Sequence, residues 1–220
     1  MNPIKPGHDL SLHSGERQTA TDYEGIRGDH RFRYEWADQR LPVDTYGLDA
    51  FCGVGYGTWL LSERRFVLGL DGSADAIATA NASYRRSSNL FTTSYFPFDL
   101  PSAAFDFVVS LESIEHVADG AGFFAMLCRA LKPGGNLIFS TPCEEWLPHA
   151  ACANHFHHRH YTLAETLQLV QSHGLELVSH AGQDCYRMTA EGPFGGLLPI
   201  EEMQLRDAEP GQFTIVHARC

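Results

Sequence analysis

Two histidines stand where a proton would have to move. His116 follows an apolar run at 105–110, and His157 lies in a segment crowded with hydrogen-bonding groups. An imidazole has an unperturbed pKa of about 6.5, so either could take the proton of a hydroxyl while a new bond forms to its oxygen. His116 is the first choice and His157 the second, for proton transfer or substrate contact. The structural alternative is that Glu112, Glu115 and His116 cap or brace the following helix, and that His157 only bonds within its loop.

Upstream, Gly47-Leu-Asp-Ala-Phe-Cys-Gly-Val-Gly-Tyr-Gly-Thr-Trp-Leu-Leu61 reads as a buried strand, a glycine-rich turn and a helix. Asp71 closes a second apolar run eighteen residues after Gly53. Gly53, Gly55 and Gly57 let the backbone turn sharply and approach a ligand without a Cβ clash. A carboxylate at the tip of the next strand can accept both hydroxyls of a ribose. The pair is the pattern of a nucleotide-like cofactor site.

Cys143 to His160 carries His149, His155, His157, His158 and His160 together with Cys152. Cys143, His149, Cys152 and His155 could converge on zinc, but their spacing fits no standard zinc pattern, and the expectation is no metal. The clustered carboxylates of a magnesium site are missing as well: Ser110-Leu-Glu112 offers one. Cys143 follows a proline but has no activating surroundings in the sequence, so it reads as noncatalytic.

These groups must be positioned by strands and helices. Apolar runs at 46–51, 66–71, 90–94, 105–110, 135–141, 175–180 and 213–219 alternate with helical stretches. That alternation predicts an α/β fold: a doubly wound, mostly parallel seven-stranded sheet with helices on both faces. The last strand is expected antiparallel to 175–180 after a long excursion. Ser73 is placed to cap a helix over 74–85; Thr162 and Glu165 form a capping box whose helix Gly174 ends. Lys132-Pro-Gly-Gly135 is read as a stop before a strand at 136–141. Residues 1–40 are expected to form an arm and helix over the cofactor site. The catalytic domain is then 41–220, with substrate-side insertions at 143–161 and 184–212.

Composition narrows the function. The chain is 44% hydrophobic with a formal charge of −11, which weighs against a polyanionic partner. It lacks a run of about eighteen apolar residues to span a membrane, and its N-terminus lacks the apolar core of a signal peptide, so a cytoplasmic protein is expected. The six cysteines form no C-x-x-C pair and read as reduced thiols.

Asp49-x-x-Cys52-Gly53-x-Gly55-x-Gly57, Asp71, the stretch Phe105 to Val117 and Leu131-Lys-Pro-Gly-Gly135 resemble, in order, the motifs of class I S-adenosylmethionine-dependent methyltransferases. The resemblance spans roughly 12–219. Ser14-Gly-Glu-Arg17, Arg33-Tyr34-Glu-x-Ala37 and Asn154-x-Phe-His157-x-Arg159-x-Tyr161 are similar to members associated with sugar, surface-polysaccharide and small-molecule methylation. It implies S-adenosylmethionine as cofactor, ribose binding by Asp71 beside Gly72, and loop support from Asp49. Glu112 shapes the pocket floor, and Glu16, Arg17 and Arg33 lie toward the methionine end. The adenine would lie near Ser94 and Tyr95, where this chain departs from the family's usual acidic residue. The implied reaction is metal-independent methyl transfer to an oxygen, or secondarily a nitrogen, of a small polar or glycan-type acceptor. A nucleic-acid or nucleotide acceptor, and a non-catalytic cofactor-binding subunit, stand as the alternatives.

Overall fold

The computed structural model describes residues 10–12, 14, 17–152, 154–189 and 195–220; Glu16 of the arm and Gly192-Pro-Phe194 of the excursion lie outside the described residues. The strands are β1 (Tyr46–Ala50), β2 (Phe66–Asp71), β3 (Asn89–Thr93), β4 (Phe105–Ser110), β5 (Leu131–Pro142), β6 (Glu176–Gln183), β7 (Arg206–Asp207) and β8 (Phe213–Arg219). They form one sheet in the order β3-β2-β1-β4-β5-β8-β6-β7. The first five are parallel, and β8 slots between β5 and β6, antiparallel to both. This is the doubly wound sheet expected from the apolar runs, with one correction: among the described residues it has eight strands, not seven. The extra one, β7, pairs Arg206 and Asp207 with Gly182 and Ala181 inside the 184–212 excursion, and two residues are too few to leave a periodic signal.

Helices α1 (Gly28–Arg40), α2 (Tyr56–Leu61), α3 (Ala74–Ser83), α4 (Gly120–Ala130) and α5 (Leu163–Ser172) cover both faces. Successive side chains of a strand point to opposite faces, so β4 feeds two cores. Val108 packs with Phe123, Phe124 and Leu127 of α4, while Phe107 and Val109 join Tyr34, Trp36 and Ala37 of α1; Phe105, across the register shift from Phe107, breaks the alternation and lies with Val108. Burial on both faces is why the central strands read as continuous apolar runs.

Local signals hold at the helix ends. The Ser73 hydroxyl accepts from the Ala76 N–H, and Thr162 and Glu165 satisfy each other's backbone donors. Lys132-Pro-Gly-Gly135 behaves differently from the simple stop expected. The β4–β5 register jumps from Phe105↔Leu131 to Phe107↔Asn136, so these four residues bulge out within a strand that begins at Leu131. Lys132 Nζ reaches Asp106 at 2.8 Å across the bulge.

The chain winds outward from β1 through β2 to β3, then returns to β4 beside β1. A crevice opens at such a reversal, at the carboxyl ends of the strands.

Candidate functional site

A cavity of about 840 Å³ occupies that crevice. Phe51 and Glu112, one and two residues past the ends of β1 and β4, both line it with left-handed backbones, at φ 63° and 51°. Non-glycine residues in this region are strained and tend to cluster where function over-determines the backbone. The Glu112 turn is fixed by Ser140: its Oγ accepts from the Glu112 N–H at 3.0 Å and donates to Glu112 Oε1 at 2.7 Å.

One end is built from the glycine turn. Gly53 has φ +56°, and a Cβ there would meet nothing within 4 Å, so it faces open space. Its N–H donates to Asp71 Oδ2 at 3.0 Å, and the Ser73 N–H donates to Oδ1 at 2.8 Å. Arg17 lies 3.6 Å from Oδ1. A carboxylate offers about four acceptor sites, so both oxygens retain capacity for the two hydroxyls of a ribose. Gly72 and Tyr95 line the same end with Phe96. Leu10 belongs to the wall too, its carbonyl accepting from Ser73 Oγ at 2.7 Å. The open space at Gly53, the accepting carboxylate and this aromatic wall fit an adenosine-bearing ligand.

Gly55, Gly57, Asp49 and Ser94 do not form the wall, for separate reasons. A Cβ on Gly55, at φ +92°, would lie 2.7 Å from Phe91 Cε1 and 2.8 Å from Ala80 Cβ; one on Gly57 would overlap the Tyr34 ring. These two glycines let α2 seat against the sheet and α1. Asp49 lies fully buried beneath the turn, accepting from Tyr34 Oη at 3.0 Å and Thr58 Oγ1 at 2.6 Å. Burial pushes its carboxyl up to about 7 against those two donors, with the Asp71 charge adding to the rise. Ser94 donates its N–H to the Asp71 carbonyl at 2.8 Å.

Arg33, 2% exposed, reaches the middle of the cavity from α1. Its Nε donates to Gln183 Oε1 at 2.6 Å, its guanidinium sits 4.3 Å over the Phe213 ring, and it lies 3.7 Å from Glu112 and 3.4 Å from Asp29. Burial opposes the charge; Glu112, Cys185 and Asp29 outweigh it and hold the guanidinium above its ordinary range. Arg27 doubly bonds Asp29, at 2.5 and 2.7 Å. Sequence reading missed Gln183 because no local pattern announces a partner 150 residues away; Asp29, at i,i+4 to Arg33, carried a local pairing signal that could have found it.

The other end carries the histidines. His116 ends a one-turn 3₁₀ helix, Ile114–His116, and its ring packs edge-on to His157 with centroids 4.7 Å apart. His157 is one link in a chain whose tautomers follow from hydrogen-bond accounting. The Leu147 carbonyl can only accept, so His160 Nδ1 donates to it, at 2.6 Å. His160 Nε2 must then accept, and it does so from His157 Nδ1 at 2.8 Å. His157 Nε2 is left with a lone pair, facing Asn154 Nδ2 at 2.9 Å, while Asn154 Oδ1 is fixed by the Phe156 N–H. Burial, with the rings of His116, His160 and His149 adding, pushes the His157 imidazole down to about 2, so it is neutral at neutral pH.

The structure does not gather Cys143, His149, Cys152 and His155. The Cys143 thiol donates to Glu145 Oε2 at 3.0 Å, and burial with that bond pushes it up to about 11, which leaves no reactive thiolate. Among the described residues, the metal-type side chains that do converge are Glu115, His116 and His157, whose ligand atoms lie within 4.8 Å of one another. No described helix is long and apolar enough to cross a membrane.

Residues 48–139 match a methyltransferase domain profile. A probable S-adenosylmethionine-dependent methyltransferase of Mycolicibacterium smegmatis is 34% identical over 156 residues, covering 68% of this chain and 60% of that protein. A ubiquinone biosynthesis O-methyltransferase of Methylococcus capsulatus is 36% identical over 101 residues, 43% of this chain and 42% of its own. The chain thus spans less than two thirds of the length of either relative. In fold it is similar to an S-adenosylmethionine-dependent methyltransferase from Mesorhizobium loti, with a TM-score of 0.63 at 21% identity over 85% of this chain and 98% of that one. Residues 48–139 thus carry a methyltransferase domain, and the glycine turn, the ribose-type carboxylate and the sheet order agree with the likeness of this chain to class I S-adenosylmethionine-dependent methyltransferases.

Proposed function

We propose that this chain, acting in the cytoplasm, transfers a methyl group from S-adenosylmethionine to an oxygen, or secondarily a nitrogen, of a small polar or sugar-containing acceptor. The observation that carries this reading is the division of one cavity into two chemically different ends. Asp71, Gly53, Gly72 and Tyr95 provide acceptor atoms and flat apolar surface at one; Glu115, His116 and His157 provide proton-handling groups at the other.

Bound at the Asp71 end, S-adenosylmethionine supplies an electrophilic methyl on sulfur. The residues of this chain have the remaining tasks. Asp71 accepts ribose hydroxyls with Arg17 beside it, at the ribose end and not the methionine end that the resemblance implied; Arg33 favours a carboxylate at the methionine end; Asp49 holds α1 and α2 together through Tyr34 and Thr58 under the turn. Glu112 shapes the floor between the two ends. His116 takes the acceptor proton; His157, which burial makes a poor base, contacts the acceptor. Enclosure of the acceptor between the 143–161 and 184–212 segments excludes water and orients it, which for a displacement supplies much of the rate enhancement.

The O-methyltransferase named among the relatives supports oxygen over nitrogen. The formal charge of −11 supports a small acceptor over a nucleic acid. A screen with methyl-labelled cofactor, separated into hydroxylated small molecules, glycans, amines and nucleic acids, tests this. Incorporation into a hydroxylated or sugar-bearing class is expected; incorporation confined to nucleic acid would overturn it.

A further inference from the structure

We infer that Glu115, His116 and His157 form a binding site for a divalent cation of borderline character, such as Zn²⁺ or Mn²⁺, at the acceptor end of the cavity. The inference rests on the functional reading above and deepens it: the two histidines would activate the acceptor as metal ligands rather than as free bases.

Three features carry it. The ligand atoms of the three side chains lie within 4.8 Å of one another, and they come from two separate elements that both line the cavity. The elements are fastened together next to the site, the His158 N–H donating to the Glu115 carbonyl at 2.7 Å. Convergence is therefore built into the backbone and does not depend on chance rotamers of exposed residues. Glu115 itself is fully buried.

The third feature is the support behind His157. A ligating histidine characteristically donates its other ring N–H to a carbonyl or another fixed acceptor, which sets its tautomer and aims the lone pair. His157 has that arrangement: Nδ1–H donates to His160 Nε2 at 2.8 Å, and His160 passes the requirement to the Leu147 carbonyl at 2.6 Å. The lone pair of His157 Nε2 is thereby presented to a donor. The Asn154 amide occupies that direction at 2.9 Å, and a cation bound through Nε2 would displace it. Two imidazoles and one carboxylate suit Zn²⁺, Fe²⁺ or Mn²⁺ better than Mg²⁺, which prefers an all-oxygen shell. Three protein ligands leave positions open for an acceptor oxygen. A hydroxyl ligated there is a stronger acid than in water and can release its proton to solvent as the acceptor binds, before water is excluded.

The test is calorimetric titration of the chelator-stripped full chain with Zn²⁺, Mn²⁺ and Mg²⁺ chlorides, each alone, with Mn²⁺ binding also read by electron paramagnetic resonance. One Zn²⁺ or Mn²⁺ per chain is expected to bind, more tightly than Mg²⁺. Glu115→Gln and His157→Ala should each weaken it at least tenfold, and Cys143→Ser with Cys152→Ser should leave it unchanged. S-adenosylhomocysteine binding, measured in the same variants, should persist and shows that they fold. No stoichiometric cation binding to wild type, binding undiminished in both Glu115→Gln and His157→Ala, or loss confined to the cysteine variant would each overturn the site. Loss of S-adenosylhomocysteine binding by wild type with cation binding intact would instead overturn the functional reading.

Discussion

Asp49 makes the stability of this protein depend on pH in an unusual direction. Its side chain is fully buried under the glycine turn, held by Tyr34 Oη and Thr58 Oγ1, and burial raises its carboxyl from 3.8 to about 7. A group whose folded pKa is raised contributes stability that is fully present below its unfolded pKa and is lost as pH rises through the folded value. The window here is pH 4 to 7, and moving a carboxyl that far corresponds to on the order of 4 kcal/mol. Asp49→Asn removes the titration and keeps the geometry. One amide atom accepts from its hydroxyl as before; on the other side the Nδ2 donates and that hydroxyl rotates to accept. Urea unfolding followed by circular dichroism, at unit pH steps from 4 to 8, measures both proteins. The stability of the variant relative to wild type should climb by several kcal/mol between pH 4 and 7 and flatten above. A difference that stays constant across the range would refute the assignment of this titration to Asp49.

One further pair of substitutions separates packing from ligand contact. Gly55→Ala places a Cβ against Phe91 and Ala80 at φ +92°; it should cost about 2–4 kcal/mol of stability, with little change in cofactor affinity of the folded fraction. Gly53→Ala meets no protein atom and should cost about 1–2 kcal/mol through its backbone angle alone, yet weaken S-adenosylhomocysteine disproportionately by calorimetry; equal effects at the two glycines would contradict the division. Thr162→Ala, which removes half of the capping box of α5, should lower stability by about 1 kcal/mol in thermal or urea unfolding.

The sequence carried the fold because its strands are buried on both faces and its helices are punctuated by local chemistry, as at Ser73 and Thr162. Those signals act within a few residues. The glycine motif marked the right turn but did not distinguish Gly53, which faces the cavity, from Gly55 and Gly57, which face Phe91 and Tyr34; that distinction depends on what packs opposite. The family resemblance sets Ser94 near the ligand, whereas the structure gives its backbone to Asp71. The Arg33–Gln183 bond and the meeting of Glu115 and His116 with His157 join segments far apart in the chain, and neither periodicity nor spacing encodes such meetings. The β7 strand escaped notice because its two residues are held by a return of the excursion, not by an apolar pattern.

Methyl transfer at this site requires that the Asp71 end of the cavity hold S-adenosylmethionine. Isothermal titration of wild type and Asp71→Ala with S-adenosylhomocysteine, with circular dichroism to establish folding, measures this directly. One site per chain is predicted in wild type. Loss of the charged acceptor should weaken binding at least tenfold, since hydrogen bonds to a charged group contribute about 1.5–3 kcal/mol each. No binding to wild type, or undiminished binding to folded Asp71→Ala, would contradict it.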